Sequence, residues 1–235
     1  MTQPTGVNRR TMLQVAGASL CAAAVGGCEG GATAGGRTPR ALAFKNADFY
    51  KADGTFDVDA GKRAVIALMN YHGYPVYKNM DETLWVSDYG TGRFTELGLA
   101  ARMWKNHEEH HYMLMDLFLM PNQMLPEHWH LKPEKGPIKL EGWLVRYGQS
   151  HIVGEGQPNL GPAVVIPKCH MNGTVTVKHE VVAGPGDFVP LNRTEAHHWQ
   201  LAGPEGAIMS EVANMHSDAA VRHLDPAINK QFLGG

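Results

Sequence analysis

Cysteine is scarce in this 235-residue chain, which has only three. Cys21 and Cys28 lie within the first 40 residues, so Cys169 stands alone in the remainder. A single thiol excludes an intramolecular disulfide there, and stability must come from the apolar core. Cys169 precedes His170 in a segment typical of a loop, and we interpret it as a structural or exposed thiol rather than a metal ligand.

An excess of charge of either sign is also lacking. The formal net charge is -2 and charged residues make up 19% of the chain. Proteins that bind nucleic acid usually carry a clustered basic face, so we exclude nucleic acid as a partner. With 43% hydrophobic residues the chain can bury one core, which favours one domain over two. The 27 glycines and 14 prolines suit an all-β domain with many turns.

Long hydrophobic runs are missing as well. The apolar stretch 13–25 consists of small residues and is too short for an ordinary membrane span. It follows Asn8-Arg9-Arg10, a twin-arginine signature. Residues 1–40 are therefore predicted to be a signal peptide and flexible tether, with the twin-arginine export machinery as partner and the periplasm as destination. Cys28 ends a sequence like a bacterial lipobox, which predicts a lipid anchor; ordinary peptidase cleavage nearby is the alternative.

Residues 41–82 are predicted to form a helical extension. Apolar residues recur at helical spacing over 57–71, with Asp57 placed as the N-cap and Gly73 just past the last turn. Nothing in this region has the composition of a nucleotide-binding loop. We interpret the extension as scaffold.

From Thr83 onward the pattern changes to short apolar runs separated by turn signals. Strands are predicted at 84–86, 98–104, 112–120, around His128, at 142–148 and at 174–182. No internal repeat is visible. The pattern predicts one all-β barrel or sandwich over 83–235.

Histidine, in contrast, is abundant at 13 residues, and two of them define the main candidate site. His128 and His130 stand at i and i+2 on a predicted strand, so both side chains project to one face and can bind one metal ion. Glu141 can add a carboxylate from the next strand. His197-His198 follows after a length that suits two or three intervening strands, and alternation lets only one of the pair point inward.

These residues resemble the D-lyxose isomerase family of metal-dependent cupins. The resemblance covers most of 83–228 and rests on 126–130, on 139–148 around Glu141, and on 198–211, with the Asp225-Pro226 pair at the end. It implies a single cupin jelly-roll β-barrel. It also implies a divalent ion, most often manganese, whose ligands would be His128, His130, Glu141 and His198. His198 is chosen over His197 because the residue before Trp199 matches the family's ligand.

The resemblance further implies an aldose-ketose isomerase acting on a free sugar such as D-lyxose. Its chemistry passes through a cis-enediolate whose charge a metal ion can stabilise, while a carboxylate moves the proton. Glu211, expected on the strand after His198, matches the family's Ser-Glu pair and is the candidate catalytic base; a structural carboxylate paired with an arginine is the alternative. Relatives carry a lysine on the strand before the two histidines, and 112–116 has none. A homodimer is expected by analogy with other cupins.

Two other functions fit the same ligands. One is a cupin dioxygenase or other oxidoreductase, and the other is a surface-tethered sugar-binding lipoprotein without turnover. The remaining polar and sulfur-rich groups are predicted to be structural. Residues 107–111 suit a hairpin tip, and no catalytic role is assigned to Glu127 or Glu134. Core filling is the prediction for Met113, Met115, Met120 and Met124.

Overall fold

The computed structural model describes residues 42–233, which form a mostly β domain. The predicted signal peptide and Cys28 lie outside these residues. A 3-10 helix at Asn46–Phe49 and helices α1 (Val58–His72) and α2 (Met80–Thr83) come before the strands, a second 3-10 helix (Asp218–Ala220) lies near the end, and α3 (Pro226–Leu233) follows. The strands in the described part are β1 (Trp85–Ser87), β2 (Leu99–His107), β3 (Tyr112–Leu119), β4 (Met124–His130), β5 (Glu141–Gly154), β6 (His179–Ala183), β7 (Phe188–Pro190), β8 (His198–Ala213) and β9 (Val221–His223).

The strands pair into one antiparallel sheet that curls into a half-barrel, as in a single cupin domain. The order is β1-β2-β3-β8-β4-β9, and β5 pairs with β6, β7 and β8. This confirms the predicted fold class. Strand β8 lies between β3 and β5 at its C-terminal end, and it carries both His198 and Glu211. The expectation that Glu211 lies on a separate strand after His198 is therefore wrong.

Helix α1 begins and ends where the sequence predicts. The Asp57 carboxylate accepts a hydrogen bond from the Ala60 amide at 3.0 Å, and Gly73 closes the helix in the left-handed conformation with φ 69°. The buried face of α1 contributes Val65 and Leu68 to the same core as Phe118 and Ile208 of the sheet. The ends of the predicted signal peptide and tether at residue 40 and of the predicted helical extension at residue 82 stay predictions. None of the described helices combines the length and apolar character needed to cross a membrane.

The strand predicted over 174–182 begins later, at His179. The preceding loop is held by side chains, because Glu127 accepts the Thr176 amide at 2.7 Å and Glu180 accepts the Gly161 amide at 2.7 Å. Amides engaged by carboxylates do not extend a sheet. The apolar alternation that suggested a strand comes from packing instead, since Val175 and the loop's other apolar side chains cover Trp199.

The two faces of the sheet carry separate cores. On β3, Met115 and Leu117 point to the concave inner face with Trp143 of β5, whereas Phe118 points to the outer face beneath α1. The structural reading of the methionines is confirmed, because Met113, Met115, Met120 and Met124 are all buried. Residues 108–111 form the turn between β2 and β3, as the hairpin-tip prediction requires.

Candidate metal centre and active site

The four residues proposed as metal ligands meet on the inner face of the sheet. His128 and His130 lie on β4, Glu141 opens β5 and His198 opens β8. One ligand atom from each lies within 4.8 Å of every other, and all four residues are buried. Strand pairing brings them together, since His128 and His198 are directly opposite each other across β4 and β8. In the sequence, β6 and β7 lie between β5, which carries Glu141, and β8, which carries His198. This agrees with the two or three intervening strands predicted.

Backbone carbonyls fix the orientation of two of the imidazoles. Nδ1 of His128 lies 2.9 Å from the Pro126 carbonyl oxygen, and Nδ1 of His198 lies 2.9 Å from the Ala196 carbonyl oxygen. A carbonyl oxygen only accepts, so Nδ1 carries the hydrogen in both rings. Nε2 of each ring is then left with a free lone pair, the tautomer that a metal ligand needs.

The donor atoms fit a divalent cation. Nε2 of His130 and Nε2 of His198 lie 2.9 Å and 3.2 Å from Oε1 of Glu141. All three atoms are buried, and none has a hydrogen-bond partner within the described part of the chain. Buried lone pairs that converge without a shared proton are costly unless a cation lies between them. Three imidazoles and one carboxylate are a common donor set for such an ion.

The ionisation states match this role. Burial holds the pKa of His128 well below its usual value and lowers the pKa of His130 to about 4, so both rings are neutral. Burial alone would raise the pKa of Glu141, but the Lys139 ammonium and the contacts with His130 and His198 together outweigh burial and hold that pKa well below the usual value. Neutral imidazoles and an ionised carboxylate are the forms that bind metal.

A buried lysine joins Glu141 to Glu211. Nζ of Lys139 donates to Oε2 of Glu141 and to Oε1 of Glu211, both at 2.6 Å, and the Trp143 indole N–H lies 3.2 Å from Oε2 of Glu211. The partner of Glu211 is therefore a lysine and not the arginine of the structural alternative. Sequence reasoning gave Lys139 no role, although its i, i+2 spacing from Glu141 was a usable signal. The stretch 112–116 contains no lysine, and Lys139 supplies an ammonium group to this site.

Glu211 has the properties of a group that can exchange a proton near neutral pH. Burial raises its pKa to about 7, opposed by the Lys139 ammonium and reinforced by the Glu141 carboxylate. It lines a cavity of about 400 Å³ on the inner face, together with Lys139, His128 and His130. Two of the four candidate ligands, the candidate base and the ammonium therefore face one space.

Tyr89 is held in this cavity by a polar turn. Its φ of 53° is unusual for a bulky residue. The buried Asp88 carboxylate accepts hydrogen bonds from the Gly90 amide at 2.9 Å, the Gly92 amide at 3.1 Å and the Tyr50 hydroxyl at 2.8 Å. These contacts fix the turn and hold the Tyr89 ring against the cavity.

The other polar residues considered from sequence lie elsewhere. The His197 ring stacks on Trp129 with centroids 4.1 Å apart, and its Nδ1 lies 2.9 Å from Oε1 of Glu127. Glu127 is buried and holds the loop after β5, so its role is structural. Glu134 is exposed, and the half-buried Cys169 packs against the inner core.

Comparisons with known proteins place the chain among sugar isomerases. It is 32% identical over 149 residues to the D-lyxose/D-mannose isomerase of Thermosediminibacter oceani, with 63% of this chain and 80% of the relative covered. It is 31% identical over 149 residues to the D-lyxose ketol-isomerase of Cohnella laeviribosi, with the same shares covered. No family model matches the chain.

Solved structures support the same fold. The L-ribose isomerase of Acinetobacter sp. DL28 in complex with L-ribose superposes with a TM-score of 0.54 at 14% identity, over 79% of this chain and 97% of that one. The L-ribose isomerase of Cellulomonas parahominis with L-psicose gives 0.53 at 12% identity, with the same shares covered. At such identities the likeness concerns the fold alone. On the identity to the curated relatives, the chain belongs to the D-lyxose isomerase family and is a sugar isomerase.

Proposed function

We propose that this sugar isomerase interconverts D-lyxose and D-xylulose at a divalent ion held by His128, His130, Glu141 and His198. The observation that carries the proposal is the junction of Glu141, Lys139 and Glu211 at the cavity. One carboxylate belongs to the candidate metal site, and the other faces the cavity with its pKa raised to about 7.

Aldose-ketose isomerisation moves a proton between two adjacent carbons. C2 of the aldose loses a proton, a cis-enediolate forms, and C1 gains a proton. The C2 hydroxyl proton passes to the C1 oxygen, so the carbonyl ends at C2 and a hydroxyl at C1. A divalent ion bound here would supply Lewis-acid stabilisation of the developing negative charge. Glu211 takes the proton from C2 as a carboxylate and returns it to C1 as an acid.

Lys139 prepares Glu211 for this task. Its ammonium contacts Oε1 of Glu211, and the Trp143 indole contacts Oε2. Two fixed donors limit rotation of the carboxylate and keep it aimed along one path. Because most of the cavity lining is apolar, a bound sugar displaces water from it, which protects the enediolate from exchange of its proton with solvent.

The proposal is tested by assaying conversion of D-lyxose and D-mannose to their ketoses, with oxygen uptake followed in parallel. We expect ketose formation that is lost on chelation and restored by manganese, with no oxygen consumed. Ketose formation that survives complete removal of the metal would contradict the metal dependence. Oxygen uptake without ketose would favour the oxidoreductase alternative.

We also propose that the ion is manganese and is acquired before export. Sites of this kind bind zinc or copper more tightly than manganese, so the ion present when the site closes decides occupancy. The twin-arginine signature at Asn8-Arg9-Arg10 supports export of an already folded protein. Metal analysis of protein from the periplasmic or membrane fraction should find manganese; its absence there would overturn this proposal.

A further inference from the structure

The cavity has two walls of opposite character. The wall that holds the candidate metal site is polar, with His128, His130, Lys139, Glu211 and His223. The adjoining wall comes from β1, β2 and β3. We call it the apolar wall, and it comprises Trp85, Leu99, Ala101, Met103, Met115 and Leu117. Only Trp85 in this set carries a nitrogen or oxygen atom in its side chain.

Strand register places the apolar wall directly beside the candidate base. Met115 pairs with Glu211 across β3 and β8, and Met103 pairs with Met115 across β2 and β3. Paired residues place their side chains on the same face of the sheet. Strand β2 lies two strand spacings from β8, so the wall extends about 10 Å from Glu211. This distance exceeds the length of a hexose carbon chain. A sugar whose C1 and C2 lie at Glu211 therefore has its remaining carbons within reach of the wall.

Asn106 and His216 at the cavity rim are already paired with each other through the His216 backbone. The Asn106 amide donates to the His216 carbonyl oxygen at 2.8 Å and accepts from the His216 amide at 3.0 Å. Nε2 of His216 lies 2.8 Å from Oδ1 of Asp218. A sugar hydroxyl pressed against Met103, Met115 or Leu117 would lose its water and gain no hydrogen-bond partner from these side chains. Such a loss costs on the order of tenfold in affinity for each hydroxyl.

We propose that the preferred substrate is a terminally deoxygenated aldose, whose last carbon is a methyl group. The inference rests on the proposed isomerase function and names its substrate class. A methyl group against Met103, Met115 and Leu117 gains apolar contact and leaves no hydrogen bond unmade. 6-Deoxy-D-mannose is the natural probe, because it differs from D-mannose only by the terminal hydroxyl.

The test compares kcat/KM for 6-deoxy-D-mannose and D-mannose with the metal-loaded protein. We expect a preference of about tenfold for the deoxy sugar. Met115→Gln, which adds an amide to the wall at nearly constant volume, should reduce the preference to about twofold or less. Met103→Gln serves the same purpose at a position that is 37% exposed and tolerates polarity. Leu114→Gln is the matched control, because Leu114 neighbours Met115 on β3 but is 39% exposed on the other face.

Equal or faster turnover of D-mannose by the wild-type protein would overturn the inference while leaving the isomerase function intact. If neither sugar is isomerised, the proposed function fails, and the affinities of the two sugars, read from tryptophan fluorescence, decide the inference separately. Tighter binding of the deoxy sugar supports the apolar wall as its site. Equal affinities, or no binding of either sugar, overturn it.

Discussion

Two buried carboxylates lie on opposite faces of the same sheet, and they differ in their partners. Asp116, on the outer face, accepts three neutral donors: the Tyr74 hydroxyl at 2.6 Å, the Trp104 indole at 2.6 Å and the Ser210 hydroxyl at 2.7 Å. Glu211, next to Ser210 on β8, faces inward and shares the Lys139 ammonium with Glu141.

The difference shows that burial alone does not single out a candidate catalytic group. Both carboxylates are 3% exposed. Three donors surround Asp116, and it does not line the cavity that Glu211 borders, so its contacts hold together the outer face of the sheet. Glu211 competes with a second carboxylate for one cation, and it lines the cavity. A carboxylate that shares one cation with a second carboxylate and borders a cavity is a candidate for proton transfer.

The largest expected difference is in kcat. It is measured by changing one carboxylate to an amide on each face of the sheet. Glu211→Gln should reduce kcat about a thousandfold, because the amide cannot carry the proton. Asp116→Asn should change kcat less than about threefold. Steady-state kinetics with D-lyxose measures both, with bound metal determined in parallel. A Glu211→Gln enzyme with normal kcat and full metal content would remove Glu211 from the mechanism.

The next effect concerns stability without metal. Lys139→Met leaves Glu141 and Glu211 buried without their shared cation, so the free energy of unfolding should fall by about 3 kcal/mol. Urea denaturation of chelated protein measures it. Lys132→Met, at an exposed position, is the control and should cost less than about 1 kcal/mol. Equal losses for the two variants would show that the buried ion pairs contribute nothing beyond an ordinary surface lysine.

A smaller loss of stability is expected on the outer face. Asp116→Asn keeps one acceptor oxygen and replaces the other with a donor, so at least one of the three groups can no longer donate to this side chain. The free energy of unfolding should fall by about 2 kcal/mol. Tyr74→Phe should then cost less in the Asp116→Asn background than in wild type, because the two changes break one network. Additive costs in that double-mutant cycle would contradict the network.

The smallest effect tests the helix that covers the outer face. Asp57→Ala removes the N-cap of α1 and should cost about 1 kcal/mol of unfolding free energy. Asp59→Ala, two residues into the helix and exposed, should cost less. Neither change should alter kcat/KM, since α1 packs on the face away from the cavity. A loss of activity in Asp57→Ala would show that the two faces are coupled.

Local patterns allowed much of this to be predicted. Asp57 and Gly73 gave the bounds of α1, because caps depend on adjacent residues. The alternation around His128 and His130 placed both on one face of a strand for the same reason. The strand predicted over 174–182 was wrong at its start, because Val175 alternates to pack on Trp199 rather than to pair with a neighbouring strand.

The sequence by itself determined the all-β class, helix α1 and the two-histidine motif, because each depends on neighbours a few residues apart. Only the tertiary structure decided that Lys139 lies between Glu141 and Glu211, because Lys139 and Glu211 are 72 positions apart in the sequence. It also decided that Met115 stands opposite Glu211. Both facts follow from the register of β8 against β3 and β5, which is set by the packing of the whole sheet and which no local pattern encodes.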